Sequence, residues 1–149
     1  MAVAANTIIR DVLFFIKDDL TGQITDPISS TRPSNSKFIM TSYPQRQVQY
    51  PIVTIKVTNV EAFRAGMQST SMDYIFTIEL RVWGRNQKEK DEIYTAVLDR
   101  LRTIQFTSSS GSIANNLHDF NATSAVEIDE EGKGKPKSRI CEIQYKFFN

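Results

Sequence analysis

The sequence predicts an α+β domain: a mostly antiparallel sheet of about four strands, two helices packed on one face, and long protruding loops. Three patterns predict it. Residues 74–83 alternate strictly, with Tyr74, Phe76, Ile78, Leu80 and Val82 on one face and Ile75, Thr77, Glu79, Arg81 and Trp83 on the other. A period of two in aromatic and β-branched residues marks a half-buried strand. Two further alternating runs, 52–58 and 138–148, supply partners for it, and two stretches of helical period supply the cover.

The first helix is expected over residues 3–20. Ile8, Ile9, Val12, Leu13, Phe15 and Ile16 form a broad apolar face, with Arg10, Asp11, Lys17 and Asp18 largely off it. Phe14 widens the apolar surface beyond one packing face. It is either a residue tucked under a loop or a subunit contact.

Gly22, Pro27, Ser29, Ser30, Pro33, Ser34 and Ser36 make residues 21–36 a loop. Loops this long inside a compact domain are usually functional or disordered. A short strand is expected within 37–43, and a polar, extended segment over 44–50. Residues 52–58 form a strand with Val53, Ile55 and Val57 on one face. The connector 60–71 is open to two readings, a wide hairpin whose arms extend past the sheet or a short helical turn.

Gly84 breaks the long strand. Asn86 can cap a helix, and Glu89, three residues on, can reach back to the cap's own N–H. Ile93, Val97, Leu101 and Ile104 then form one helical stripe, with Leu98 beside it. Residues 107–112 form a flexible link, and 113–120 is ambiguous. Residues 122–129 read as a strand with Ser124, Val126 and Ile128 inward, and 130–137 as a hairpin tip. The closing strand, 138–148, turns Cys141, Ile143, Tyr145 and Phe147 inward.

The chain of 149 residues suits one domain. A domain of this size buries about 70% of the surface its unfolded chain exposes, so it needs no staple. A formal net charge of +1 argues against a general nucleic-acid coat. With one cysteine there is no internal disulfide and no Cys-based zinc cage. No signal peptide and no membrane-spanning run is expected, which suits a reducing, cytosol-like compartment.

The residues point away from catalysis. The one histidine, His118, is expected in a polar loop, and no Gly-x-Ser-x-Gly elbow surrounds a serine. Cys141 reads as a small buried hydrophobe. One His, one Cys and scattered carboxylates give no metal-ligand spacing. Phosphate-loop and dinucleotide motifs are absent, and Gly132-Lys133-Gly134-Lys135 precedes a strand rather than a helix. No enzyme, cofactor or metal is therefore expected.

Two surfaces remain. The basic hairpin, with Lys133, Lys135, Lys137 and Arg139, reads either as a solvated turn that blocks edge pairing or as a contact to an acidic partner or DNA phosphates. The second is the other face of the central strand. If both helices cover one side of the sheet, Ile75, Thr77, Arg81 and Trp83 stand on the other, beside Thr54, Lys56 and Thr58. A mixed face with Ile and Trp on it is typical of a surface that meets another subunit.

The order of elements carries a resemblance. An amphipathic helix and a polar loop lead to the strand Tyr50-Pro51-Ile52-Val53-Thr54-Ile55. A long strand ending Arg81-Val82-Trp83-Gly84 follows, then a charged helix with Ile93, Val97, Leu98 and Leu101, and a final hairpin. This resembles the tail terminator (tail completion) proteins of tailed bacteriophages, the class of the lambda minor tail protein U. The resemblance covers nearly the whole chain as an order of elements. Its local marks are Tyr-Pro-x-Val entering one strand and Val-Trp before the helix.

The resemblance implies an α+β protomer that assembles into a hexameric ring in the virion neck, after synthesis in the host cytoplasm. Such a ring sits on the last ring of the tail tube protein and ends tube polymerisation. Its other side meets the head–tail connector or head-closure protein, and DNA passes its lumen. It implies no enzyme, cofactor or membrane. The competing readings are another neck component, such as a head-closure or adaptor protein, and a small nucleic-acid-binding module using the 132–139 hairpin.

Overall fold

The computed structural model describes residues 7–33, 36–42, 49–64, 67, 72–104, 117–129 and 137–148. Helix α1 (Ile8–Gln23) leads to β1 (Ile39–Met40), β2 (Ile52–Arg64) and β3 (Met72–Gly84). Helix α2 (Gln87–Thr103), β4 (Leu117–Asp129) and β5 (Lys137–Phe148) follow. The five strands form one sheet in the order β1-β2-β3-β5-β4, with only the β1–β2 pair parallel. The fold is α+β. The sheet has five strands rather than four because residues 39–40 join its edge beside Val53 and Thr54.

The two apolar periods meet where expected. Tyr74, Phe76, Ile78, Leu80 and Val82 of β3 are buried, as are Cys141, Ile143, Tyr145 and Phe147 of β5. The register sets Leu80 against Cys141, Ile78 against Ile143, Phe76 against Tyr145 and Tyr74 against Phe147. Ile93, Val97 and Leu101 from α2, and Ile104 just past its end, close over this face, with Ile8, Val12, Ile16 and Leu20 from α1. A bidentate ion pair, Arg100 to Asp19 with both bonds 2.7 Å, ties the helices together. The Tyr145 hydroxyl donates to the Leu101 carbonyl at 2.6 Å and pins α2 to the sheet.

Several expectations are corrected. Helix α1 buries one narrow i, i+4 row, so Ile9, at 48% exposure, lies outside the core. Strand β2 runs on to Arg64, and 60–64 is not connector; its register with β3 shifts between Val57 and Asn59. The hairpin reading of 60–71 holds, but its arms do not leave the sheet, because β5 accompanies β3 as far as Asp73. Strand β4 begins at Leu117, so His118 is a half-buried strand residue opposite Lys146 and not a loop histidine.

Strand β4 has register irregularities between His118 and Asn121 and between Ala122 and Ala125, and the second reverses the alternation that runs from Ala122. Val126 therefore faces away from the helices, opposite Ile140, and is 58% exposed instead of inward. The side chains of Ser124 and Ile128 lie outside the described residues.

The segment after α1 is held by one side chain. Arg32, nearly buried, bonds the Asp26 carboxylate twice, at 2.5 and 3.0 Å, and donates to the carbonyls of Gln49 and Pro51. Its guanidinium also lies 5.5 Å from the Phe38 ring centroid. The chain over 26–32 is thus tethered to the entry of β2.

Candidate functional site

The helices cover one face of the sheet. Alternation puts Ile75, Thr77, Glu79, Arg81 and Trp83 of β3 on the other, and the register builds rows across it. Glu79 stands between Lys56 and Glu142, Arg81 between Thr54 and Ile140, and Trp83 between Ile52 and Ser138. Thr77 stands between Asn59 and Gln144, and Ile75 between Glu61 and Lys146.

This face is graded. At the Trp83 end it is closed: Ile52 is fully buried, and Thr54, Trp83 and Ser138 are at most 7% exposed. Trp83 is therefore not a partner anchor offered to solvent. Arg81 lies over its ring, 4.4 Å from the centroid, and donates to Ser138 Oγ at 3.2 Å. Stacking keeps the guanidinium plane fixed. Arg81 Nε is buried without a hydrogen-bond partner.

Further along, the face is half open and charged. Lys56 and Glu79 are cross-strand partners, yet they form no ion pair with each other or with other described residues. Glu79 and Glu142 are also directly opposed. Like charges in that relation cost stability, and a sheet optimised only for its own folding would avoid them. Ile75 and Thr77 are half-buried here, and Lys146 pairs with Asp119 at 3.2 Å.

A second polar cluster escaped the sequence reading. Lys90, on the stripe of Ile93, Val97 and Leu101, is fully buried. Its ammonium is hydrogen-bonded to Glu127 Oε1 of β4 and lies 3.7 Å from Asp91. Arg139 stands 3.2 Å from Asp91 and 3.8 Å from Glu127, with its guanidinium 5.3 Å from the Tyr94 ring centroid. Burial, then Cys141 beside it, pushes the Tyr94 phenol above its ordinary value, so it stays neutral across the physiological range. Two cations face two carboxylates, and their ion pairs tie α2 to β4 and β5. The signal was present: Lys90 has the spacing of the buried stripe.

The predicted site residues therefore fall into three places. Ile75, Thr77 and Arg81 share the uncovered sheet face, with Trp83 beneath Arg81. Arg139 is drawn to the helix side and neutralised, so it is no part of a free cationic tip, and Lys137 opens β5 opposite Gly84 and Asp129. Lys133 and Lys135 lie outside the described residues. Phe14 stands alone on the outer side of α1, 44% exposed, with the Lys17 ammonium 5.8 Å from its ring centroid.

Among the described residues no group of three His, Cys, Asp or Glu is placed to hold a metal ion. No described helix is long and apolar enough to cross a membrane. No protein-family model matches the chain, and no curated protein matches it.

Proposed function

We propose that the chain is a structural, non-enzymatic virion protein: a tail terminator that caps the tail tube as a ring, ends its polymerisation and joins tail to head. The observation that supports this best is the uncovered sheet face. It carries Lys56 and Glu79 without ion partners among the described residues, and the opposed Glu79 and Glu142, around Ile75 and Arg81. Such a surface is poorly matched to itself and well matched to a partner with its own charge pattern. A closed ring needs two different patches per subunit, and the outer side of α1 with Phe14 supplies another. The order of elements over the whole chain adds the resemblance to tail terminators.

Electron microscopy of virions carrying an epitope on this chain tests the reading. The expected label sits at the head–tail junction, and a chain-deficient virus makes tails of abnormal length that fail to join heads. Leaking heads beside normal tails would favour an adaptor instead. Absence of the label from the neck would end the proposal.

A further inference from the structure

The outer sides of the two helices carry matching patterns. On α1, Arg10, Leu13, Phe14 and Lys17 fall at i, i+3, i+4 and i+7. On α2, Glu92, Thr95, Ala96 and Asp99 fall at the same four spacings. These offsets share one helical face. On α1 two basic residues flank the exposed Phe14, while Leu13 at the stripe's edge packs partly against the protein's own core; the α2 stripe is acidic, small, small, acidic. The charges in each stripe are separated by the same seven residues, about 10.5 Å of helix rise.

The exposure agrees. Arg10 is 63% exposed, Phe14 44% and Glu92 67%. Between the two α2 carboxylates lies a shallow depression of about 540 Å³, lined by Asp91, Glu92, Thr95, Ala96 and Asp99. The ion pairs these charges make within their own helices are solvent-exposed: Arg10 with Asp11, Glu92 with Lys88 at 3.9 Å, and Asp99 with Arg102. Pairs of that kind are worth little and exchange readily.

The two stripes cannot meet within one copy. The Asp19–Arg100 ion pair marks the sides on which α1 and α2 face each other. At 100° per residue, the Arg10–Lys17 stripe lies almost opposite Asp19 around α1.

We propose that α1 of one copy docks on α2 of a second copy of this chain. Phe14 seats over Thr95 and Ala96, and Arg10 and Lys17 pair with Glu92 and Asp99. The small residues let the helices approach closely, and the flanking charges fix the register. Because the two surfaces differ, the contact runs head to tail, the relation that generates rings. The inference deepens the ring reading and rests on it for its biological meaning, but it stands on these two stripes alone.

The test is sedimentation velocity of the full chain at low salt, with circular dichroism to confirm folding. Wild type is expected to self-associate, and R10E/K17E and E92K/D99K each to raise the half-assembly concentration by more than about tenfold. An equimolar mixture of the two variants restores assembly, because every contact then joins opposite charges again. A loss of folding would not produce that rescue. In a C141A background, mild oxidation of F14C with A96C copies is expected to give a disulfide-linked pair. If wild type assembles and the variants assemble equally well, or the mixture does not rescue, the helix pairing is wrong while the ring reading stands. If wild type neither assembles nor gives the F14C–A96C link, the pairing falls, and absence of neck label in virions separately removes the ring reading.

Discussion

Asp26 and Arg32 form a two-point ion pair that is nearly out of solvent, their side chains 15% and 5% exposed. It closes the loop from 26 to 32 and, through the Gln49 and Pro51 carbonyls, ties that loop to the strand that follows. Burial by itself would raise the Asp26 pKa. The Arg32 hydrogen bond, the Ile28 N–H and the guanidinium charge together outweigh that and hold the carboxyl below its ordinary value of 3.8.

That depression gives a pH dependence of definite sign. A carboxyl with a lowered folded pKa stabilises the protein fully above the unfolded value, and the contribution is lost as pH falls through the folded one. Urea midpoints between pH ~5 and ~2 are expected to fall more steeply for wild type than for D26N. At pH 7, D26N is expected to lose about 3 kcal/mol, because Arg32 keeps its charge and loses its counter-ion in a nearly dry site. An unchanged midpoint at pH 7 would show that the loop does not depend on this pair.

Gly84 is required by proximity. A Cβ at this position would sit 2.7 Å from the Lys90 backbone nitrogen and 2.9 Å from its Cα, and neither atom can swing aside. The end of β3 touches the first turn of α2 there. Gly84→Ala is expected to cost about 1–3 kcal/mol in denaturant unfolding, by forcing strand and helix apart. Gly22→Ala, which meets nothing within 4 Å, is the control and should not be destabilised in this way.

Lys90 tests the economy of a buried charge. Removing its carboxylate partner, as in Glu127→Ala, leaves the ammonium with Asp91 alone and is expected to cost about 3 kcal/mol. Lys90→Met removes the charge itself, and the double variant K90M/E127A should recover much of the loss. A double-mutant cycle by urea unfolding measures the coupling. Additive effects would mean that water, rather than Glu127, satisfies the ammonium.

Tyr145 joins sheet to helix through one hydroxyl. Tyr145→Phe keeps the ring contacts with Phe120 and the core but leaves the Leu101 carbonyl without this donor. A loss of about 1–2 kcal/mol is expected. Hydrogen exchange should show the last turn of α2 opening more readily than its first. The first turn has its own cap: Asn86 accepts from the Glu89 N–H at 2.9 Å, while the Glu89 carboxylate accepts from Arg85 rather than from the cap residue.

What the chain shows on its own is local periodicity. The alternation in β3 and β5 and the stripe of α2 name the core residues correctly, because period two and period 3.6 are properties of single elements. The α+β class follows from their order. The same reasoning named Ile75, Thr77 and Arg81 as occupants of the second sheet face.

Tertiary structure decided everything that depends on partners distant in sequence. The register shift between Ala122 and Ala125 turns Val126 outward, and pairing with Ile52 and Ser138 places Trp83 in a closed corner. Arg139 leaves a basic hairpin for Asp91 and Tyr94, and Arg32 turns an apparently loose loop into a tethered one. Charge and polarity in a sequence state what a side chain needs. Only the pairing of strands and the packing of helices state which group, seventeen or more residues away, meets that need.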